Sequence, residues 1–245
     1  MRALRILLIT VVILGGLFVA ADRLAVHFAE GEVADRLKSR ENLAETPDVS
    51  INGFPFLTQV AGGELDDVEV GIDGYEAATA DGSEQVRVDD LRAHMKGVDF
   101  SGDFSSATAA TAKGTATIAY DELLKAADPQ PADVAPGVNA RIVGLSDGGN
   151  GKIDVAVEVT LAGKKLPEPA HVLSSVTVRN NRLGVKADNL PELGGVTLAE
   201  SRIREITDFQ QTIDELPGGI KLDKVEAAAD GVDITVRGTN ITLAG

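Results

Sequence analysis

The chain has 245 residues, 38 acidic against 23 basic, and a net charge of −15. That excess of acid excludes the basic clusters needed to neutralise nucleic-acid phosphates. With no cysteine at all, disulfide frameworks, thiolate catalysis and cysteine-based metal sites are excluded too, so any folded body must be held by its core.

Arg2 and Arg5 precede Ile6–Ala21, which carries no charge. Sixteen apolar residues are long for a signal-peptide core and short for a membrane span. Val19, Ala20 and Ala21 put short side chains before a cut at Asp22. Residues 1–21 are therefore read as a signal peptide or an N-terminal membrane anchor, and residues 22–245 as a single domain outside the cytoplasm, anchored or secreted. Without residues 1–21 the chain loses two positive charges and no negative ones, and its net charge falls to −17. Such a body is repelled by an anionic membrane surface unless it is tethered.

Residues 22–43 read as a helix. Leu24, Phe28, Val33 and Leu37 fall near one face with Ala25, Ala29 and Ala34 beside them, and Glu30, Glu32, Asp35, Arg36 and Lys38 cover the other. Thr46-Pro47 stops it, and a β-rich body, 47–245, follows.

Val49 and Ile51 read as a strand that leads into Gly53-Phe54-Pro55-Phe56-Leu57-Thr58-Gln59-Val60. Gly53 permits a turn. Pro55 fixes φ and opens a helical turn as far as Val60, which Gly62-Gly63 ends. Two rings and Leu57 thus sit on a rigid turn, in a chain with only seven Phe and no Trp. Two readings stand for them: a core plug at the mouth of a sheet, or the lip of an apolar pocket.

Beyond the motif, Val68, Val70 and Ile72 alternate with polar or small residues. Val86 and Val88 alternate next, then Leu91, Ala93 and Met95 on the opposite parity, then Val98 and Phe100 on another. Each switch marks a new strand or a bulge, and repeated switches imply a strongly bent sheet. Ser101–Lys113 reads as a loop leading to a strand at Gly114–Ala119. Tyr120–Ala127 reads as a short helix, and Asp128–Pro136 as a connector. Val138–Leu145 pairs with Lys152–Leu161, whose Ile153, Val155, Val157, Val159 and Leu161 share one face. Val172–Val178 pairs with Leu183–Ala187. Thr197–Glu200 has capping-box spacing, and a helix to about Ile213 is expected, with Ile203, Ile206, Phe209 and Ile213 inward. Ile220–Ala229 and Val232–Arg237 form a last hairpin, with a parity switch at Gly238. The sum is α+β, with many antiparallel strands.

Catalytic and metal motifs are sparse. Gly144-Leu145-Ser146-Asp147-Gly148 matches G-x-S-x-G, but a hairpin tip follows it rather than a helix. His27, His94 and His171 have no ligand partner nearby in sequence. The acidic pairs Asp66-Asp67 and Asp89-Asp90 lack the density of a calcium loop. No metal ligand set, catalytic residue or cofactor is assigned. Arg179, Arg182 and Arg202 group with the second hairpin and the expected late helix. They are read as surface ion pairs or, alternatively, as contacts to a lipid headgroup.

At Gly53–Gln59, and again at Leu216-Pro217-Gly218-Gly219-Ile220, Val225 and Asp230-Gly231-Val232, the chain resembles the LmeA-like phospholipid-binding family of actinobacterial cell envelopes. The resemblance implies an exported protein of the cell envelope or periplasm that binds phospholipid and supports lipid or glycolipid transfer or homeostasis. It also implies a fold similar to tubular lipid-binding proteins: a highly curved antiparallel sheet wrapped around a long helix, with an apolar lipid-binding cavity. No catalytic residue is carried over. Under this reading Ile51, Phe54, Pro55, Phe56, Leu57, Val60, Val68 and Val70 are candidate lipid contacts. The partners are phospholipid, a membrane reached through the N-terminal segment, and envelope glycolipid-synthesis machinery; nucleic acid is excluded. The alternatives are an envelope enzyme acting on lipid or glycan, and a tethered structural or interaction protein.

Overall fold

A computed structural model describes residues 2–78, 85–102, 105–127, 129–179, 182–188, 209–212 and 219–244. The described residues form a mixed α+β protein with antiparallel sheets, one of them strongly curled into a half-barrel. They divide into two compact units. Unit 1 is Met1–Ile72, Arg92–Lys113 and Gly238–Gly245; unit 2 is Asp73–Leu91 and Gly114–Arg237.

In unit 1, helix α1 (Arg2–Arg40) runs unbroken through the expected boundary at Ala21. Strand β1 (Asp48–Asn52), helix α2 (Phe56–Gly62) and strand β2 (Glu64–Ile72) follow. β1 and β2 are antiparallel, with Ile51 opposite Val68 and Asn52 opposite Asp67. The face of α1 that meets β1 and α2 is not the bulky one. Asp22, Val26 and Ala34 are buried and Ala25 and Ala29 half-buried, whereas Leu24 and Phe28 are 63% and 79% exposed. Small residues let the helix lie close to β1, and the larger side chains are left one position to the side.

Strand β4 (Gln85–Phe100) explains the parity switches. It is one continuous strand, but Asp90 (φ 47°) and Gly97 (φ 58°) take left-handed conformations within it. Each inserts a residue out of the pleat and re-aims the following side chains. The inward set therefore passes from Val86 and Val88 to Leu91, Ala93 and Met95, then to Val98 and Phe100. Asn240 (φ 54°) does the same in the last strand, β14 (Gly231–Ala244), two residues beyond the switch expected at Gly238, so the alternation restarts at Ile241. β4, β14 and β5 (Ala107–Ala119) each run from one unit into the other.

β5 begins inside the stretch read as a loop. Its Ala and Thr residues alternate without bulk to mark the period, yet Ala109 is fully buried against Val68, Met95 and Val98.

In unit 2, strand β3 (Tyr75–Ala78) pairs with the first part of β4. Helix α3 (Tyr120–Ala127) packs on β7 (Val138–Gly149). The expected connector contains a short strand, β6 (Ala132–Ala135), and β9 (Lys164–Lys165) pairs with β8 (Lys152–Leu161). The sheet runs β12-β11-β10-β8-β7-β6, where β10 is Ala170–Arg179, β11 is Arg182–Ala187 and β12 is Phe209–Thr212. Ile153, Val155, Val157, Val159 and Val172 pack with Leu222, Val225 and Val232 of β13 (Lys221–Ala227) and β14 into one core cluster.

Phe209 is on a strand, opposite Val185, and not on the inward face of a helix. Pairing with β11 overrides the local helix signal there. The rest of that expected helix, residues 197–208 with Ile203 and Ile206, and Ile213 at its end, lies outside the described residues.

Candidate functional site

The opening motif is a braced corner of unit 1. Gly53 has φ 102°, a conformation L side chains rarely adopt, and the Phe54–Pro55 bond is cis. Pro55 then stands as the N-cap of α2 but offers no side-chain oxygen to the helix's free N–H groups. Asp22 of α1 supplies one instead: its Oδ1 accepts from Leu57 N at 2.8 Å. The carboxylate is fully buried, and its Oδ2 is 2.6 Å from the Arg23 guanidinium. Arg23 lies over the Phe54 ring, 5.3 Å from its centroid, and hydrogen-bonds Gly53 O. At the other end of α2, Gly63 (φ 79°) closes the helix with its N–H on Val60 O.

The two rings have different places. Phe56 is buried with Ile51 and Val26, and Ala25, Ala29, Val49, Val60 and Leu65 pack around them. That is the plug. Phe54 is 57% exposed and Leu57 37% exposed, while Pro55 is half-buried. Val68 is buried in the neighbouring cluster of Met95, Val98 and Ala109, with Val70 against it. Of the candidate headgroup arginines, Arg179 is exposed on β10 and Arg182 is opposite it on β11. Arg202 lies outside the described residues.

Sequence reasoning missed two features here. Asp22 is the first charge after an apolar run and reads only as the residue after a cut; nothing local marks it as a buried cap for a helix whose Leu57 lies 35 residues away. The second is a trio across β2 and β4. His94 Nε2 is 2.7 Å from Asp67 Oδ2 and 3.6 Å from Glu69 Oε1, and Asn52 donates to Asp67 Oδ1 at 3.0 Å. Burial alone would raise the Asp67 pKa, but hydrogen bonds from Asn52 and His94 and the charges of His94 and Lys96 bring it below the ordinary carboxylate value. The three ligand atoms lie within 4.8 Å of one another, so this trio could hold a divalent cation. Lys96 Nζ, 4.0 Å from the same Asp67 oxygen, already supplies positive charge there. Its chemistry is accounted for as an ion-pair network.

In unit 2, His171 Nδ1 pairs with Asp154 Oδ2 at 2.9 Å on an exposed sheet face. Residues 144–148 lie within β7, where no strand-to-helix elbow exists. An open pocket of about 650 Å³ is lined by Asp73, Asp89, Asp90, Asp230 and Asp233 with Arg87. Its acidity makes it a poor host for acyl chains.

The described residues join an apolar N-terminal helix to an antiparallel body with aliphatic core clusters. The family model for LmeA-like phospholipid-binding proteins matches residues 20–237, and the chain belongs to that family. The match begins at the junction of the apolar run and the Asp22 brace, and contains the whole motif. No curated protein and no solved structure matches the chain.

Proposed function

We propose that this is an exported envelope protein that takes up phospholipid acyl chains in an apolar cavity and supports lipid or glycolipid transfer or homeostasis. Residues 1–21 direct or anchor it, and residues 22–245 carry the lipid. The observation that carries this reading is the family membership over residues 20–237. Two features support it. The described strand faces are lined by Val, Ile, Leu and Ala, and aromatics make up only 4% of the chain. Such faces offer a dry aliphatic surface, and each methylene transferred to one gains about 0.8 kcal/mol. The strongly curled sheet supplies concavity. In this reading the Gly53–Val60 turn, with Ile51, Val68 and Val70 beside it, guides the chain in, and Arg179, Arg182 and Arg202 meet the headgroup.

The test is to isolate the full chain from membranes, extract it with organic solvent and identify the lipid by mass spectrometry. Stoichiometric phospholipid is expected. Its absence, together with no uptake of labelled phospholipid, removes the reading.

A further inference from the structure

Charge ends the apolar run of α1 at Asp22, and leaves sixteen residues, Ile6–Ala21. As helix that is about 24 Å, short of a hydrocarbon layer of about 30 Å. The fold hides one of the two charges that set this limit and pairs the other, half-exposed, with it. Asp22 is buried against α2, and Arg23 is bound to it and laid over Phe54. Past them, Leu24 and Phe28 stand one turn apart and exposed, in line with Leu14, Leu17 and Ala21 at helical spacing. Phe54 and Leu57 are exposed at the same corner. The one polar side chain between Arg23 and Glu30 is His27, whose apolar body and polar tip suit an interface.

We propose that this corner, Leu24 to Phe28 of α1 with the Gly53–Leu57 turn, is seated in the headgroup layer of the phospholipid bilayer that α1 crosses. The occupant is a bilayer because the helix is continuous: its apolar window is wholly exposed, and the same rod carries Leu24 and Phe28. Phe28 follows Ala21 by seven residues, about 10 Å of helix, which keeps the corner within the headgroup region. The net acidity of the body is reduced at this corner, where two acids are engaged, although the exposed carboxylate of Asp66 lies beside Gly53. Asp22 is paired, and Glu30 accepts from Ile51 N at 2.9 Å. Arg23, its guanidinium over Phe54 and about half-exposed, faces lipid phosphate from this corner. The inference rests on the anchor reading, and it deepens the phospholipid reading by placing the motif where a lipid leaves the membrane.

The chain has no cysteine, so single-cysteine variants need no background changes. Phe54→Cys, Leu57→Cys and Lys164→Cys of the full chain are labelled with an environment-sensitive fluorophore and reconstituted in phosphatidylcholine nanodiscs. Lys164, exposed on β9, is the reference. Labels at 54 and 57 should be blue-shifted and quenched several-fold more by spin-labelled lipid than the label at 164. Equal water exposure at all three positions overturns the proposal. So does a membrane-fraction protein whose intact mass begins at Asp22. Lipid extraction of the same variants, purified from membranes and taken before reconstitution, separates the two readings: immersed labels without co-purified lipid keep this contact and remove the cavity, and co-purified lipid with water-exposed labels does the reverse.

Discussion

The corner around Phe56 in unit 1 and the β8 face in unit 2 are built by different means. β8 buries four β-branched side chains in strict alternation, Ile153, Val155, Val157 and Val159, between β7 and β10. Its order follows from period-two patterning, and any one contact is shared among many. The corner has one large plug, Phe56, in a small cluster, and it depends on a single buried carboxylate to join α1 to α2. A distributed aliphatic face tolerates adjustment, whereas a corner with one plug and one brace does not.

The largest expected effect tests that contrast directly. Phe56→Ala should destabilise the protein by about 3–5 kcal/mol, because it removes the centre of a cluster with few other large members. Urea denaturation followed by circular dichroism measures it, and a loss under 1 kcal/mol would show that the corner has other support. Ile153→Ala should fall at the lower end of about 2–5 kcal/mol, since Val155, Val172 and their neighbours can close in. A larger loss than Phe56→Ala would reverse the comparison. Tyr120→Phe should cost about 0.5–1.5 kcal/mol in unit 2, by removing the hydroxyl that donates to Ala228 O at 2.8 Å.

A smaller effect concerns acid. Asp67 in unit 1 and Asp188 in unit 2 both have lowered pKa values. For Asp188 the first cause is the hydrogen bond from Lys152, 2.7 Å away, and the second is the Ser175 hydroxyl. A carboxylate with a folded pKa below its unfolded value, about 3.9 for Asp, contributes stability above that value and loses it as pH falls through the folded pKa. Denaturation midpoints should therefore drop below about pH 4. Asp67→Asn and Asp188→Asn should each make that drop shallower, and an unchanged slope in either variant would show that its carboxylate is not linked to folding. The smallest stability change is expected for Phe54→Ala, within about 0.5 kcal/mol, because the ring is mostly exposed. A loss of phospholipid uptake in this variant with an unchanged midpoint would separate function from packing within one motif.

Much of this architecture was legible because side-chain periodicity is a local signal. The hairpin β7–β8 and the parity switches along β4, at Asp90 and Gly97, follow from it, while helix α3 and the Pro55-to-Gly63 turn follow from equally local charge and turn signals. Where the local signal was weak or outvoted, the reading failed. Ala107–Lys113 has no bulk to reveal its alternation, and the pairing of Phe209 with Val185 lies outside any local window.

The sequence by itself determined that this is an acidic, cysteine-free, β-rich body behind an apolar helix, and which residues change face along its bent strands, because composition and period are carried by neighbours in the chain. Only the tertiary structure decided that Phe56 is inside and Phe54 outside, that α1 turns its small residues inward, and that Asp22 caps α2. Those outcomes depend on which surfaces meet, and residues 22 and 57 come together only when the chain folds.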